Sequence, residues 1–91
     1  MRSKNAARIS PAESAHMGRV KESGCAVCGA GGIVEAHHIK QGAHFTTIGL
    51  CPDCHRGPQG IHGDKTMWRI FKMDEIEALN ETLRRIYGDN R

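Results

Sequence analysis

Aromatic residues are nearly missing from this chain: Trp68, Tyr87, Phe45 and Phe71 are all it has. A chain of 91 residues has room for one small domain, and a domain of that size with few large apolar side chains is marginal unless something staples it. Long hydrophobic runs are also missing, which leaves no candidate for a membrane span. The opening stretch, MRSKNAARIS, is polar and basic, so no secretory leader is expected. The expectation that follows is a cytoplasmic protein, in a compartment where disulfides are rare and cysteines serve as thiolate ligands. No internal repeat or low-complexity tract is visible.

What the chain does have is four cysteines, six histidines and eleven glycines. Cys25 and Cys28 form one C-x-x-C, Cys51 and Cys54 a second, and 22 residues separate the pairs. Two such knuckles can converge on one tetrahedral ion, and four thiolates close its coordination shell. The pattern therefore predicts a structural Zn²⁺ with no open position. A redox C-x-x-C would want a βαβ setting, and the sequence shows none.

The formal net charge is +3. Residues 1–40 carry six basic side chains against three acidic ones, and the remainder is balanced at seven and seven. A basic first half suits a polyanionic partner. Arg2, Lys4 and Arg8 fall within residues 1–9, read as a flexible basic arm.

Capping signals place the helices. Ser10, Pro11 and Glu13 read as N-cap, first helical residue and capping-box partner of a helix that runs to about Glu22 and stops at Gly24, with Ala12, His16 and Val20 on one face. The β-branched stretch 33–39 and the stretch 44–50 read as the two strands of a hairpin. Beyond Cys51 the glycines and Pro58 break any long helix. Asp64 is a candidate cap for a short helix over Met67, Trp68, Ile70 and Phe71. Asp74 with Glu77 caps a last helix, in which Ile76, Leu79, Leu83 and Ile86 form an apolar stripe ending at Gly88. The expected architecture is α+β: a helix over 10–24, a zinc-bound core over 25–63 and helices over 64–91, in one domain.

His37 and His38 are adjacent in the first strand, where side chains alternate faces. A regular strand cannot aim both at one ion, so one is free for another task. His55 follows Cys54 directly, and His62 lies seven residues later in a glycine-rich turn. A second metal site would use His37, His55 and His62. Three ligands leave positions open, the mark of a catalytic ion, and His38 would then serve as general base.

The segments EAHHI and LCPDCH with a later histidine resemble the HNH, or ββα-metal, endonucleases, also called His-Me finger proteins, whose zinc-stabilised members carry two C-x-x-C knuckles around the hairpin. More narrowly, HMGRVKESGCAVCG, EAHHI and LCPDCHRGPQGIHG are similar to the phage recombination-enhancement (Ref-type) nucleases, which depend on RecA. The resemblance spans about residues 25–62. It implies that His37, His55 and His62 ligate a catalytic Mg²⁺ or other divalent ion and that His38 activates water. The family often has an asparagine a few residues before the LC dipeptide, orienting the base; Thr46 stands there in this chain. The last two histidines are also wider apart than the common H-x-x-x-H.

The function the resemblance implies is divalent-ion-dependent, largely sequence-nonspecific hydrolysis of DNA, phage-encoded and linked to recombination. Its partner would be DNA, with a RecA–DNA filament as a further one, in the cytoplasm of a bacterial host. Lys40, Arg56 and Lys65 flank the histidines as candidate phosphate contacts. Two rival readings remain: a zinc module that binds nucleic acid without cutting it, and an adaptor that docks a partner through helix 74–87.

Overall fold

A computed structural model describes residues 9–88. Arg2, Lys4 and Arg8, and with them the reading of a basic arm, lie outside the described residues. The architecture is α+β, a two-stranded antiparallel hairpin with helices before and after it. In chain order the elements are α1 (Pro11–Glu22), β1 (Glu35–His38), β2 (Thr47–Leu50), α2 (Pro52–Arg56), α3 (Thr66–Phe71), α4 (Glu75–Leu83) and a π-helical turn (Arg84–Gly88).

The helix starts are fixed locally. Ser10 accepts from the backbone N–H of Glu13, and the Glu13 carboxylate accepts in return from the N–H of Ser10 at 2.8 Å. Asp74 and Glu77 make the same reciprocal pair at the start of α4. Each satisfies two donors that a helix otherwise leaves unpaired. Asp64 is displaced by one position: Lys65 occupies the cap of α3 at a left-handed φ of 64°. Asp64 instead accepts from the Thr66 N–H and hydroxyl.

The strands are shorter than the sequence suggests, and their register is Glu35 opposite Leu50, Ala36 opposite Gly49, His37 opposite Ile48 and His38 opposite Thr47. Ile33, expected inside the first strand, stands 74% exposed. Its neighbour Val34 donates its N–H to the carbonyl of Lys21 at 2.8 Å, so the chain here follows α1 rather than β2. The second strand loses residues 44–46 to the hairpin connection.

β2 is buried along its whole length. Ile48 and Leu50 enter the apolar core with Val34, Ile61, Met67 and Ala78. Gly49 faces the other way, against the end of α1. A Cβ there would lie 2.8 Å from the carbonyl oxygen of Gly24 and 3.0 Å from that of Val20. The expected apolar stripe on the last helix holds only in part: Leu79 packs against the core. Ala78 and Thr82 are the buried residues of α4, and Thr82 accepts from the Gly49 N–H through its hydroxyl. Ile76, counted on that stripe, is 68% exposed. The residues that α4 buries most fully are thus small ones, which a pattern of large apolar residues does not single out.

The scarce aromatics contribute little to the interior. Phe45, Phe71 and Tyr87 are exposed, and only Trp68 packs partly against the core. Two of the cysteines, Cys25 and Cys54, are members of that core. No helix among the described residues is long and apolar enough to cross a membrane.

Candidate metal centres

The first cluster joins both knuckles. Cys25 and Cys28 sit on the turn after α1, and Cys51 and Cys54 sit at the N-terminus of α2. Cys51 is itself the cap of that short helix, which occupies a segment read from sequence as irregular. The knuckles are held together through the backbone, with Ala26 donating to the carbonyl of Gly49 at 2.9 Å. The four sulfurs lie within 4.8 Å of one another, and Cys28 and Cys51 approach to 3.6 Å. Four thiolates on a tetrahedral zinc stand roughly 3.8 Å apart, given a Zn–S bond of about 2.3 Å, so the cluster has the size of a zinc site. None of the four is in a disulfide.

The electrostatics favour a cation. The N–H groups of Cys28 and Cys54 donate to Cys25 Sγ and Cys51 Sγ at 3.4 and 3.5 Å. Burial opposes ionisation of Cys25, but backbone donors, that of Cys28 first, outweigh it and bring the thiol down to about 7. Burial then pushes Cys54 up, and the neighbouring Cys25 charge adds to this. Burial likewise raises Cys28. The cluster cannot carry four negative charges unaided, and a divalent ion removes that conflict by taking all four as thiolates.

The second cluster is made of His37, His55 and His62, whose ligating nitrogens all lie within 4.8 Å. They come from three different places: β1, α2 and the loop after it. Ring centroids are separated by 5.3 Å (His37–His55), 5.0 Å (His37–His62) and 4.9 Å (His55–His62). The loop brings His62 back by folding onto α2. Ile61 donates to the carbonyl of Cys54 at 2.8 Å and His62 to that of His55 at 3.2 Å. Gly60 makes this contact feasible: a Cβ there would stand 2.6 Å from the carbonyl oxygens of both Asp53 and Cys54. The wide histidine spacing is therefore spanned by a tight turn rather than by a continuous helix.

Two carboxylates absent from the sequence reading border the trio. Glu35, at the start of β1, accepts from His55 Nδ1 at 2.7 Å and from Arg56 Nε at 3.0 Å, with a second contact from the other Arg56 nitrogen. Arg56 first and His55 second hold its carboxyl down at about 2. An ionised carboxylate only accepts, so His55 carries a proton on Nδ1, which leaves Nε2 as the nitrogen that could meet a metal ion. A period-two pattern carries the signal: Glu35 lies two residues before His37 and so on the same strand face. Glu75 approaches His37 Nε2 to 3.8 Å. The contact is not an ion pair at neutral pH, because burial first, then the other histidines, bring His37 down to about 4. Burial outweighs the exposed carboxylate here, His37 being only 8% exposed.

His38, one residue on, has different neighbours. Its Nε2 lies 2.9 Å from Nδ1 of His44, and burial first, then His44, lowers its pKa. The Thr46 hydroxyl is used elsewhere, donating to the carbonyl of Ala43 at 3.1 Å. Among the candidate phosphate contacts, Arg56 is committed to Glu35, while Lys40 and Lys65 are exposed, on the hairpin connection and before α3.

Comparison of the chain with protein-family descriptions, with curated proteins and with solved structures finds no match.

Proposed function

We propose that this chain is a metal-dependent endonuclease of the HNH type, hydrolysing DNA phosphodiester bonds with little sequence specificity. The observation that carries the reading is the convergence of His37, His55 and His62 beside a second strand histidine, His38, that has different neighbours. The element order β1, β2, α2 around that cluster agrees with a ββα-metal core, and the four-cysteine cluster with the zinc-stabilised branch of the superfamily.

The division of labour follows from chemistry. Hydrolysis needs an attacking water, relief of charge on the phosphorane and help for the departing 3′ oxygen. A divalent ion on the histidine trio, Mg²⁺ or another, would supply the second and third of these. His38 takes the proton from water as the new P–O bond forms and the bond to the 3′ oxygen breaks. The products are 5′-phosphate and 3′-hydroxyl ends. Lowered basicity keeps His38 neutral, and so able to accept, at the pH of a cell. Glu35 fixes the His55 ring, and the Arg56 guanidinium keeps Glu35 ionised for that task. Lys40 and Lys65 are left to meet neighbouring phosphates.

The narrower similarity to recombination-enhancement nucleases extends the proposal to a phage-encoded protein acting in a bacterial cytoplasm, with a RecA–DNA filament as partner. The test is supercoiled plasmid incubated with zinc-loaded protein and Mg²⁺ or Mn²⁺, with EDTA as control. Nicked and linear products that need the added ion support the reading. Binding without cutting, under every divalent ion, would leave a nucleic-acid-binding zinc module in its place.

A further inference from the structure

We infer that His44 is the positioning residue of the base: its Nδ1 accepts the Nε2–H of His38 and so fixes the His38 tautomer whose Nδ1 lone pair faces the attacking water. The inference rests on the nuclease reading and adds to it a residue that the sequence pattern does not mark.

A neutral imidazole has one donor nitrogen and one acceptor nitrogen, and the bond made by one decides what the other can do. Nε2 of His38 is occupied by His44 Nδ1 at 2.9 Å. Any proton taken from water must therefore go to Nδ1, which must be the acceptor, so Nε2 must carry the hydrogen and donate it. His44 is then protonated on Nε2. That nitrogen is buried and makes no hydrogen bond among the described residues. Leaving it so costs stability that an apolar side chain would not, which is what a residue kept for its other nitrogen would show.

The hairpin connection is built to present this ring. Thr46 donates to the Ala43 carbonyl through both its hydroxyl, at 3.1 Å, and its N–H, at 3.2 Å. The Thr47 hydroxyl donates to the carbonyl of His44 itself at 3.4 Å. The two threonines clamp the backbone on either side of His44. Thr46 thus supports the turn that carries the orienting group and does not orient the base itself. The rings meet edge to face, with an interplanar angle of 84°.

The test is a set of His44 substitutions assayed for plasmid cleavage, with zinc content, circular dichroism and DNA affinity as controls. Asparagine places its side-chain oxygen where Nδ1 stands, glutamine reaches one carbon too far, and aspartate can only accept. His44→Ala is expected to lower kcat by about 10- to 100-fold, the size typical of a partner that orients an imidazole, with KM and zinc unchanged. His44→Asn and His44→Asp should restore most of the rate, and His44→Gln should not.

His44→Ala cutting at the wild-type rate, while His38→Ala does not cut, would overturn the assignment of His44 and leave the nuclease reading standing. Recovery by Gln as readily as by Asn would mean a space-filling role and also overturn it. Recovery by Asn but not Asp would mean that His44 donates, which refutes the direction of the bond. A wild-type chain that cuts nothing overturns both the nuclease reading and the role of His44.

Discussion

Replacing Gly60 with alanine separates the two metal clusters. The added Cβ would stand 2.6 Å from the carbonyl oxygens of Asp53 and Cys54. Ordinary contact begins near 3.4 Å, so the loop must retreat by close to an ångström, because both obstacles are backbone of α2. Two hydrogen bonds sit on that path, Ile61 to Cys54 and His62 to His55. Overpacking of this kind costs about 1–3 kcal/mol, and each weakened bond about 0.5–1.5 kcal/mol more. The chemical consequence is larger than the thermodynamic one. A displacement of about 1 Å in a catalytic group can cost roughly 10²-fold in rate, and His62 moves with the loop. The four cysteines lie outside it. Gly60→Ala should therefore keep one zinc per chain and a cooperative melt at lower temperature. It should bind the second divalent ion at least tenfold more weakly by calorimetry, a shift of about 1.4 kcal/mol, and cut DNA slowly. Wild-type affinity for the second ion, with wild-type cleavage, would refute the claim that this glycine sets the trio.

Other perturbations address the remaining links. Cys51→Ser removes one of the four candidate zinc ligands while leaving a side-chain oxygen to cap α2, and should still unfold the domain in circular dichroism, with elemental analysis showing loss of zinc. Thr82→Val keeps the shape of the buried side chain but leaves the Gly49 N–H without its acceptor, so chemical denaturation should show a loss of about 1–3 kcal/mol, with the zinc retained. The cleavage rate should fall as pH drops, since only neutral His38 accepts a proton. Because its pKa is lowered, the fall should come below the ordinary histidine value of 6.5 and not at it; a midpoint above 6.5 in the pH–rate profile contradicts the buried setting of His38.

The signals legible in the sequence were the local ones. Both capping boxes depend on residues three apart, and the C-x-x-C pairs on residues three apart and a hairpin between them, so no tertiary information was needed. The alternation of a strand likewise gave His37 and His38 different surroundings. What escaped the sequence depends on contacts between distant segments. On α4 the Thr82 hydroxyl meets the Gly49 N–H, 33 positions away, and Ala78 and Thr82 are buried while the larger Ile76 stands exposed. Ile33 looked like a strand residue because it is β-branched, but Val34 bonds to α1 and turns it out to solvent. Helix α2 was hidden by the glycines that follow it, although Pro52 after Cys51 is a usable start signal. Glu35 and Glu75 are ordinary surface acids until folding sets them beside His55 and His37. His44 reads as the first residue of a strand until the connection folds it against His38.

The most direct measurement of the central claim is single-turnover cleavage of supercoiled plasmid in Mg²⁺ by the wild type and His38→Ala, at matched zinc content and DNA affinity. The account predicts cleavage by the wild type that EDTA abolishes and a loss of about 10²–10⁴-fold in the variant, the usual worth of a general base. Equal rates from the two proteins would contradict it.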